Sequence, residues 1–166
     1  MDDYIIVSWF IFVVHLAPQN AGLFFFIFTK KLYLITMKLN LLVLKDFYAI
    51  CRFDKEASVP QWIIKSDFYN ITKTPDELSL VCNQDLIKTS ETTLIDKNWR
   101  CIKIDNLLDL SLTGIIAEIS KILKESKIPI FTISTYNTDY IFVKDQKLEN
   151  AIECLKKNGH HITIEN

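Results

Sequence analysis

Two short segments of the chain combine residue types that suit a small ligand carrying two opposite charges. Gly114 opens a predicted helix, and a residue without Cβ lets a ligand come close to the backbone there. The free N–H groups of a first helical turn, together with the helix dipole, favour a carboxylate. Asp139 is predicted at the tip between two strands, where it can accept an ammonium group while Thr135 and Thr138 add hydroxyls. The first segment therefore favours an anionic group, and the second favours a cationic one.

Each segment also has a simpler structural interpretation. Gly114 can serve only to make a tight turn between a strand and a helix, because glycine commonly marks such turns. Asn137, Thr138 and Asp139 are residue types that favour a hairpin turn without any ligand. The sequence leaves both interpretations open.

Few residues in the chain favour catalysis, metal binding or nucleic-acid binding. Three glycines in 166 residues exclude a glycine-rich phosphate loop, and a net charge of -1 argues against a surface that neutralises phosphates. No serine, histidine and acid set is evident, so we expect no enzyme, no catalytic residue and no cofactor. His160 and His161 lack a ligand at suitable spacing, so they predict a solvated helix end and no metal site.

The four cysteines are expected to be buried, reduced thiols of a cytoplasmic protein. None of them forms a CxxC pair, which argues against a zinc knuckle or a redox motif. They lie within apolar, strand-like runs, where free cysteine behaves as a small apolar residue. They are Cys51, Cys82, Cys101 and Cys154.

Residues 1–36 differ from the remainder, with 24 apolar residues and six of the eleven phenylalanines. Three interpretations stay open: a membrane anchor followed by the basic Lys30 and Lys31, an extra element packed on the core, or translation that begins at Met37. The interruption at Pro18 leaves each apolar half shorter than the roughly 20 residues that cross a bilayer. A membrane is therefore a partner only if this segment is a genuine anchor.

An internal repeat organises the chain after residue 36. Residues 71–81 and 133–143, at an offset of 62, both combine an apolar strand, a hydroxyl-rich tip, an acidic residue and a second apolar strand. The repeat predicts a first unit at 37–87, a linker at 88–97 and a second unit at 98–166.

The second unit shows the clearer pattern. A strand at 100–104 precedes apolar residues at helical spacing from Ile115 to Leu123, and strands are predicted at 128–135 and 140–143. Asp145 is a candidate N-cap of a second amphipathic helix, which Gly159 closes before a short final strand. The order βαββαβ predicts an α+β, ferredoxin-like unit with four antiparallel strands and two helices on one face.

The first unit is predicted to be a degenerate copy of the same plan. Residues 39–45, 48–53, 68–72 and 78–82 are typical of strands, whereas residues 60–64 favour a short helical turn at most.

The segment from Asp109 to Ser120, DLSLTGIIAEIS, resembles the strand-to-helix signature of ACT domains, which are regulatory modules that commonly bind amino acids. Thr113 replaces the usual proline, as in the small two-ACT proteins similar to each half of the CASTOR arginine sensors. Residues 77–82 and 134–140 resemble the same branch, and the resemblance covers 37–160. It implies two tandem ACT domains, the first degenerate.

The resemblance also implies a ligand site at an interface between two ACT units. Its positions in this chain, with their immediate neighbours, are Ser111, Leu112, Thr113, Gly114, Ile115, Thr135, Tyr136, Asn137, Thr138 and Asp139. Leu112 is apolar where the family often has an acidic residue, which argues against a cationic ligand side chain such as that of arginine.

Two functions compete. The first is a non-catalytic, amino-acid-binding regulatory sensor that forms a homodimer through its second ACT domain, with ligands at the seam. The second is an interaction module with a decayed ligand site that docks on an enzyme or a transporter.

Overall fold

The computed structural model describes residues 38–87, 94–105 and 113–165. The three interpretations of residues 1–36 concern a segment outside these ranges. Within the described part of the chain, every helix is too short or too polar to cross a bilayer.

Strands dominate the described residues, and two α-helices pack with the second half of the chain. The elements are β1 (Asn40–Phe53), β2 (Tyr69–Lys73), β3 (Leu78–Asn83), β4 (Leu94–Ile104), α1 (Ile115–Glu125), β5 (Ile130–Ser134), β6 (Asp139–Lys144), α2 (Leu148–Lys157) and β7 (His161–Ile164). Short 3-10 helices at Gln61–Lys65, Gln84–Leu86 and Asp145–Lys147 separate some of them. The predicted α+β fold class is confirmed.

All seven described strands belong to one sheet in the order β2-β3-β1-β4-β6-β5, with β7 beside β1. The two predicted strands at 39–45 and 48–53 are one long strand, β1, whose pairing with β4 is irregular between Val43 and Phe47. Strand β4 begins at Leu94, so the last four residues of the predicted linker at 88–97 lie in a strand.

The sequence predicted that the closing strand of the second unit would complete a four-stranded antiparallel sheet. This prediction is wrong. β7 instead pairs in parallel with residues Asn40 to Val43 of β1. The reason is that the same part of β1 already occupies the edge of β4, where Leu41 lies opposite Ile104. β7 therefore takes the next free edge, and β1 becomes a strand of both halves.

The structure confirms an internal repeat but corrects its offset from 62 to 61. β2 and β5, β3 and β6, and the 3-10 helices after them all begin 61 residues apart. The turns agree, because the Thr74 N–H donates to the Glu77 carbonyl and the Thr135 N–H donates to the Thr138 carbonyl, each at 2.9 Å.

The first unit is degenerate because its connection between strands is shorter. Residues 54–68 join β1 to β2, whereas residues 105–129 join β4 to β5 and include α1. Only the 3-10 helix Gln61–Lys65 stands in the first connection, where it buries Trp62 and Ile63 against β1 and β3.

An aromatic cluster lies on the sheet face opposite the helices and shows that the sheet curls. The Phe68 ring, just before the edge strand β2, is 4.7 Å from the Tyr140 ring and 5.6 Å from the Phe142 ring, centroid to centroid. β2 and β6 are four strands apart, which is about 19 Å in a flat sheet. The sheet must therefore bend until its two halves meet across this cluster.

The described cysteines are free thiols, as predicted. Cys51, Cys82 and Cys101 are buried and Cys154 is half-buried. Burial raises the pKa of the Cys101 thiol well above its usual range.

Candidate functional site

Gly114 lies directly before α1, so the helix opens where the sequence predicted it. Gly114 has φ 90° and ψ 0°, a left-handed conformation that a residue with a Cβ adopts only with strain. Its carbonyl accepts the Glu118 N–H at 2.9 Å, so the helix begins immediately after it. Thr113 and Gly114 are exposed, whereas Ile115 turns into the core. Ser111 and Leu112 lie outside the described residues.

The tip between β5 and β6 is held by two threonine hydroxyls. The Thr135 hydroxyl donates to the Thr138 carbonyl at 2.8 Å, and the Thr138 N–H donates back to the Thr135 hydroxyl at 3.3 Å. These bonds close the turn around Tyr136 and Asn137, which are both exposed. Asp139 follows as the first residue of β6, and its carboxylate takes no part in the bonds that build the turn. Turn formation therefore accounts for the threonines but not for Asp139.

One buried hydrogen bond ties this tip to the end of β4. The Thr138 hydroxyl donates to the Ile104 carbonyl at 2.6 Å, and Thr138 is only 6% exposed. From Ile104 the chain runs through residues 106–112 to Gly114. The tip and the segment that leads to α1 consequently start from the same end of the sheet.

The structure thus ties the tip, one half of the candidate site, to the end of β4. Among the described residues, no hydrogen bond joins Thr113, Gly114 or Ile115 to the tip. The hydroxyl protons of Thr135 and Thr138 are committed to protein carbonyls. Asp139 is the acidic residue of the tip, and the turn leaves its side chain available.

An ion pair that sequence reasoning missed lies at the same end of the sheet. The Lys103 ammonium is 3.0 Å from the Asp105 carboxylate, directly after the last residue of β4. Half of the Asp105 side chain is exposed, so its carboxylate faces solvent where residues 106–112 begin. An acidic residue directly after a strand of the second unit was the signal in the sequence.

His160 is not at a solvated helix end, which corrects the sequence-based expectation for it. The residue is 7% exposed, and its Nδ1 accepts the Leu39 N–H at 3.3 Å, whereas His161 is exposed. Burial lowers the pKa of the imidazole, and the nearby Glu118 carboxylate opposes that shift. Leu39 precedes β1 directly, which explains the burial, because the start of β1 lies against the end of α2.

Asp145 does not cap α2, because it has a different partner. Its carboxylate lies 3.3 Å from Arg100, and the helix begins at Leu148 after the 3-10 turn Asp145–Lys147. The Arg100 guanidinium also donates to the Leu44 carbonyl at 3.2 Å and lies 4.8 Å from the centre of the Phe47 ring. Arg100 thus fills the irregular part of β1. Gly159, with φ 90°, ends α2 as predicted.

Comparison with protein families finds two matches. Residues 94–157 match the model of an ACT domain, and residues 46–90 match a model of an N-terminal domain. The first match contains the described part of the candidate site.

Solved structures of similar shape extend over most of the chain. The protein Atu0741 from Agobacterium tumefaciens is 30% identical, with a TM-score of 0.73 over 79% of this chain and 96% of that one. VC0802 from Vibrio cholerae, a protein of unknown function and possible transport protein, is 20% identical, with a TM-score of 0.60 over 78% and 96%. The regulatory subunit of aspartate kinase from Thermus thermophilus shares the fold, at 10% identity and a TM-score of 0.51 over 69% and 93%.

Proposed function

We propose that this chain, which belongs to the family of Atu0741 and carries an ACT domain at residues 94–157, is a non-catalytic regulatory protein that binds an amino acid. The ACT match and the fold shared with an aspartate kinase regulatory subunit support regulation by a small molecule. The observation that carries the proposal is the Thr138–Ile104 hydrogen bond, because it holds an available acid beside the start of the segment leading to a glycine-opened helix.

Each charged end of the ligand has a suitable partner. The N–H groups of the first turn of α1 have no acceptor within the helix, so they can bind the carboxylate with the favourable end of the helix dipole. Gly114 keeps the approach to them free of a side chain. Asp139 accepts the ammonium group. Thr135 and Thr138 hold the tip in place, and their hydroxyl protons remain on protein carbonyls.

The ligand lies at an interface between two ACT units, as in the CASTOR-like branch that the sequence resembles. A second copy of the chain supplies the facing unit through its own second ACT domain, so the ligand stabilises the assembled state. Binding shifts this equilibrium only as far as the ligand prefers the assembly over the separate chains. The four free thiols fit a reducing compartment, and we place the protein in the cytoplasm.

A thermal-shift screen of the full chain against the twenty amino acids tests the proposal. At least one amino acid at millimolar concentration is expected to raise the melting temperature, because a ligand at 100 times its Kd stabilises the folded state by about 2.7 kcal/mol. Asp139→Asn should remove that shift. Asp76→Asn, at the exposed tip of the first unit, is the matched control and should retain it.

The alternative function is an interaction module without a ligand site. One observation favours it: the tip between β5 and β6 satisfies both threonine hydroxyls within the protein, so it is complete without a ligand. If no amino acid raises the melting temperature, or if Asp139→Asn leaves a real shift unchanged, this alternative replaces the sensor.

A further inference from the structure

Two cysteine side chains meet in the core of the first unit. Cys51 of β1 and Cys82 of β3 lie on neighbouring strands, in a register that places Cys51 opposite Leu80 and Ala49 opposite Cys82. The two cysteines are therefore diagonal neighbours on one face of the sheet. Both belong to the buried cluster that the 3-10 helix Gln61–Lys65 helps to form, and they are 1% and 0% exposed.

The repeat shows that packing does not require thiols at these two positions. At the offset of 61, Val143 corresponds to Cys82, and the matching register of β4 with β6 places Ile102 where β1 has Cys51. Ile102 and Val143 are 1% and 0% exposed, so the second unit fills the same places with aliphatic side chains. The first unit thus carries a pair of reactive groups where apolar residues would suffice.

A hydrogen bond between the two side chains makes their sulfurs unequal. The Cys82 thiol donates to the Cys51 sulfur, and this bond lowers the pKa of the Cys51 thiol. The same bond, together with burial, raises the pKa of the Cys82 thiol well above its usual range. Because the thiolate is the nucleophile in thiol chemistry, Cys51 is the sulfur that reacts first, with Cys82 beside it.

We propose that Cys51 and Cys82 are a redox-sensitive pair that a small peroxide, such as hydrogen peroxide, converts into a reversible disulfide. The Cys51 thiolate attacks one peroxide oxygen and the O–O bond breaks, which leaves a sulfenic acid and, with the proton that Cys51 lost, one water. The Cys82 sulfur then attacks the Cys51 sulfur. The S–O bond breaks, and the hydroxyl leaves with the Cys82 proton as a second water. The two sulfurs lose two electrons, and the peroxide gains them.

The first unit has a thin cover over this pair. The 3-10 helix Gln61–Lys65 has five residues, whereas α1 has eleven in the corresponding connection of the second unit. Most residues that lead to this 3-10 helix from β1 are exposed. Local opening of so short a segment can admit a molecule as small as hydrogen peroxide without unfolding the sheet.

The register also indicates that the disulfide is easily reduced again. Diagonal neighbours in an antiparallel sheet are about 7–8 Å apart at Cα, whereas a relaxed disulfide joins Cα atoms about 4.4–6.8 Å apart. The bond must therefore draw β1 and β3 together at this point. A disulfide under such strain is more readily reduced, which is typical of regulatory disulfides in a reducing compartment.

Peroxide treatment of the reduced full chain, followed by alkylation in denaturant and mass spectrometry, tests the proposal. The wild type is expected to lose two of its four alkylatable thiols, to link the tryptic peptides of Cys51 and Cys82 within one chain, and to recover both thiols after dithiothreitol. Cys101→Ala removes an equally buried thiol and should leave this disulfide unchanged. Cys82→Val introduces the residue that the second unit carries at the matching position and should abolish it.

The order of the two steps has its own test. Cys82→Ser keeps a hydroxyl donor beside Cys51, so dimedone should trap a sulfenic acid on Cys51 in this variant. Cys51→Ser should leave Cys82 unlabelled, and a circular-dichroism melt verifies that each variant is folded.

Four results would overturn the proposal. They are a wild-type chain without the disulfide after peroxide, a bond that joins other cysteines or two chains, a loss of the disulfide in Cys101→Ala, or dimedone labelling of Cys82 in place of Cys51. If a serine variant fails to fold, the mapped disulfide in the wild type and its absence in Cys82→Val decide the proposal.

Discussion

Replacing His160 by asparagine should remove an acid-sensitive part of the stability of this protein. The imidazole is buried between the end of α2 and the start of β1, and its Nδ1 accepts the Leu39 N–H at 3.3 Å. An Nδ1 that carries a proton cannot accept this bond. Asparagine keeps an acceptor near the same position and does not titrate.

The direction of the pH effect follows from the lowered pKa of His160. In the unfolded chain the imidazole binds a proton near its ordinary pKa of 6.5, whereas the folded protein resists protonation because of burial. The unfolded state therefore binds more protons below pH 6.5. Stability is complete above that pH and falls as the pH drops towards the lowered pKa, by up to about 1.4 kcal/mol per pH unit. Glu118 works against the shift and limits the range over which the loss continues.

Urea unfolding at pH 7.5 and pH 5.0, followed by tryptophan fluorescence, measures the effect. Carboxylates titrate in every variant, so the informative quantity is the loss of unfolding free energy in the wild type minus the loss in the variant. His160→Asn should lose less than the wild type, and the exposed His161→Asn should lose as much. His160→Ala, which leaves the Leu39 N–H without its partner, should cost about 1–3 kcal/mol at pH 7.5. Equal acid losses in His160→Asn and the wild type would refute the reasoning.

Two further substitutions test how the sheet is held together. Phe68→Ala should lower the free energy of unfolding by about 2–3 kcal/mol, as measured by urea unfolding. This loss is at the low end for phenylalanine because the ring is only half-buried. A loss below about 1 kcal/mol would contradict the contact across the curled sheet. Arg100→Lys should cost about 1–2 kcal/mol, since lysine cannot keep the Leu44 carbonyl, Asp145 and the Phe47 ring together. The control is Asp145→Asn, which removes only the half-exposed partner of Arg100 and should lower the free energy of unfolding by less than about 1 kcal/mol. An equal loss in both variants would show that only the ion pair with Asp145 contributes to stability.

Local patterns predicted the helices and turns of this fold well. The apolar spacing from Ile115 to Leu123 gave the correct helix, because an amphipathic stripe depends on residues within one element. Gly159 was predicted to close α2 from the same kind of local signal, and its φ of 90° agrees.

Pairing between distant strands could not be predicted from local patterns. Nothing near Asn40 shows that this residue will lie beside His161, because the two residues are 121 positions apart and their pairing depends on the whole sheet. The offset of the repeat was wrong by one residue because apolar residues dominate both hairpins. Such runs align almost equally well after a shift of one, although the shift places every side chain on the opposite face.

The candidate site was predicted in its components but not in the way they are connected. Asp139 and Gly114 were chosen from their types and positions, and their role in binding stays a prediction. Thr138 was predicted to offer its hydroxyl to a ligand, whereas in the structure this hydroxyl donates to the Ile104 carbonyl. Threonine is common in the sequence, so its type alone could not indicate this bond. Asp105 was missed because it follows a strand that the sequence already explained by its apolar residues.

The shared strand β1 has a consequence for regulation. Residues Asn40 to Val43 pair with β4 and β7 beside the candidate site, and residues Tyr48 to Phe53 pair with β3 in the first unit. In the proposed sensor, an amino acid bound beside the end of β4 acts on β1, which continues into the first unit. Anything that binds the first unit and depends on the position of β1 is then coupled reciprocally to the amino acid. An amino acid that raises the melting temperature should therefore also slow hydrogen exchange of the β1 amides from Tyr48 to Phe53, and Asp139→Asn should abolish both effects together.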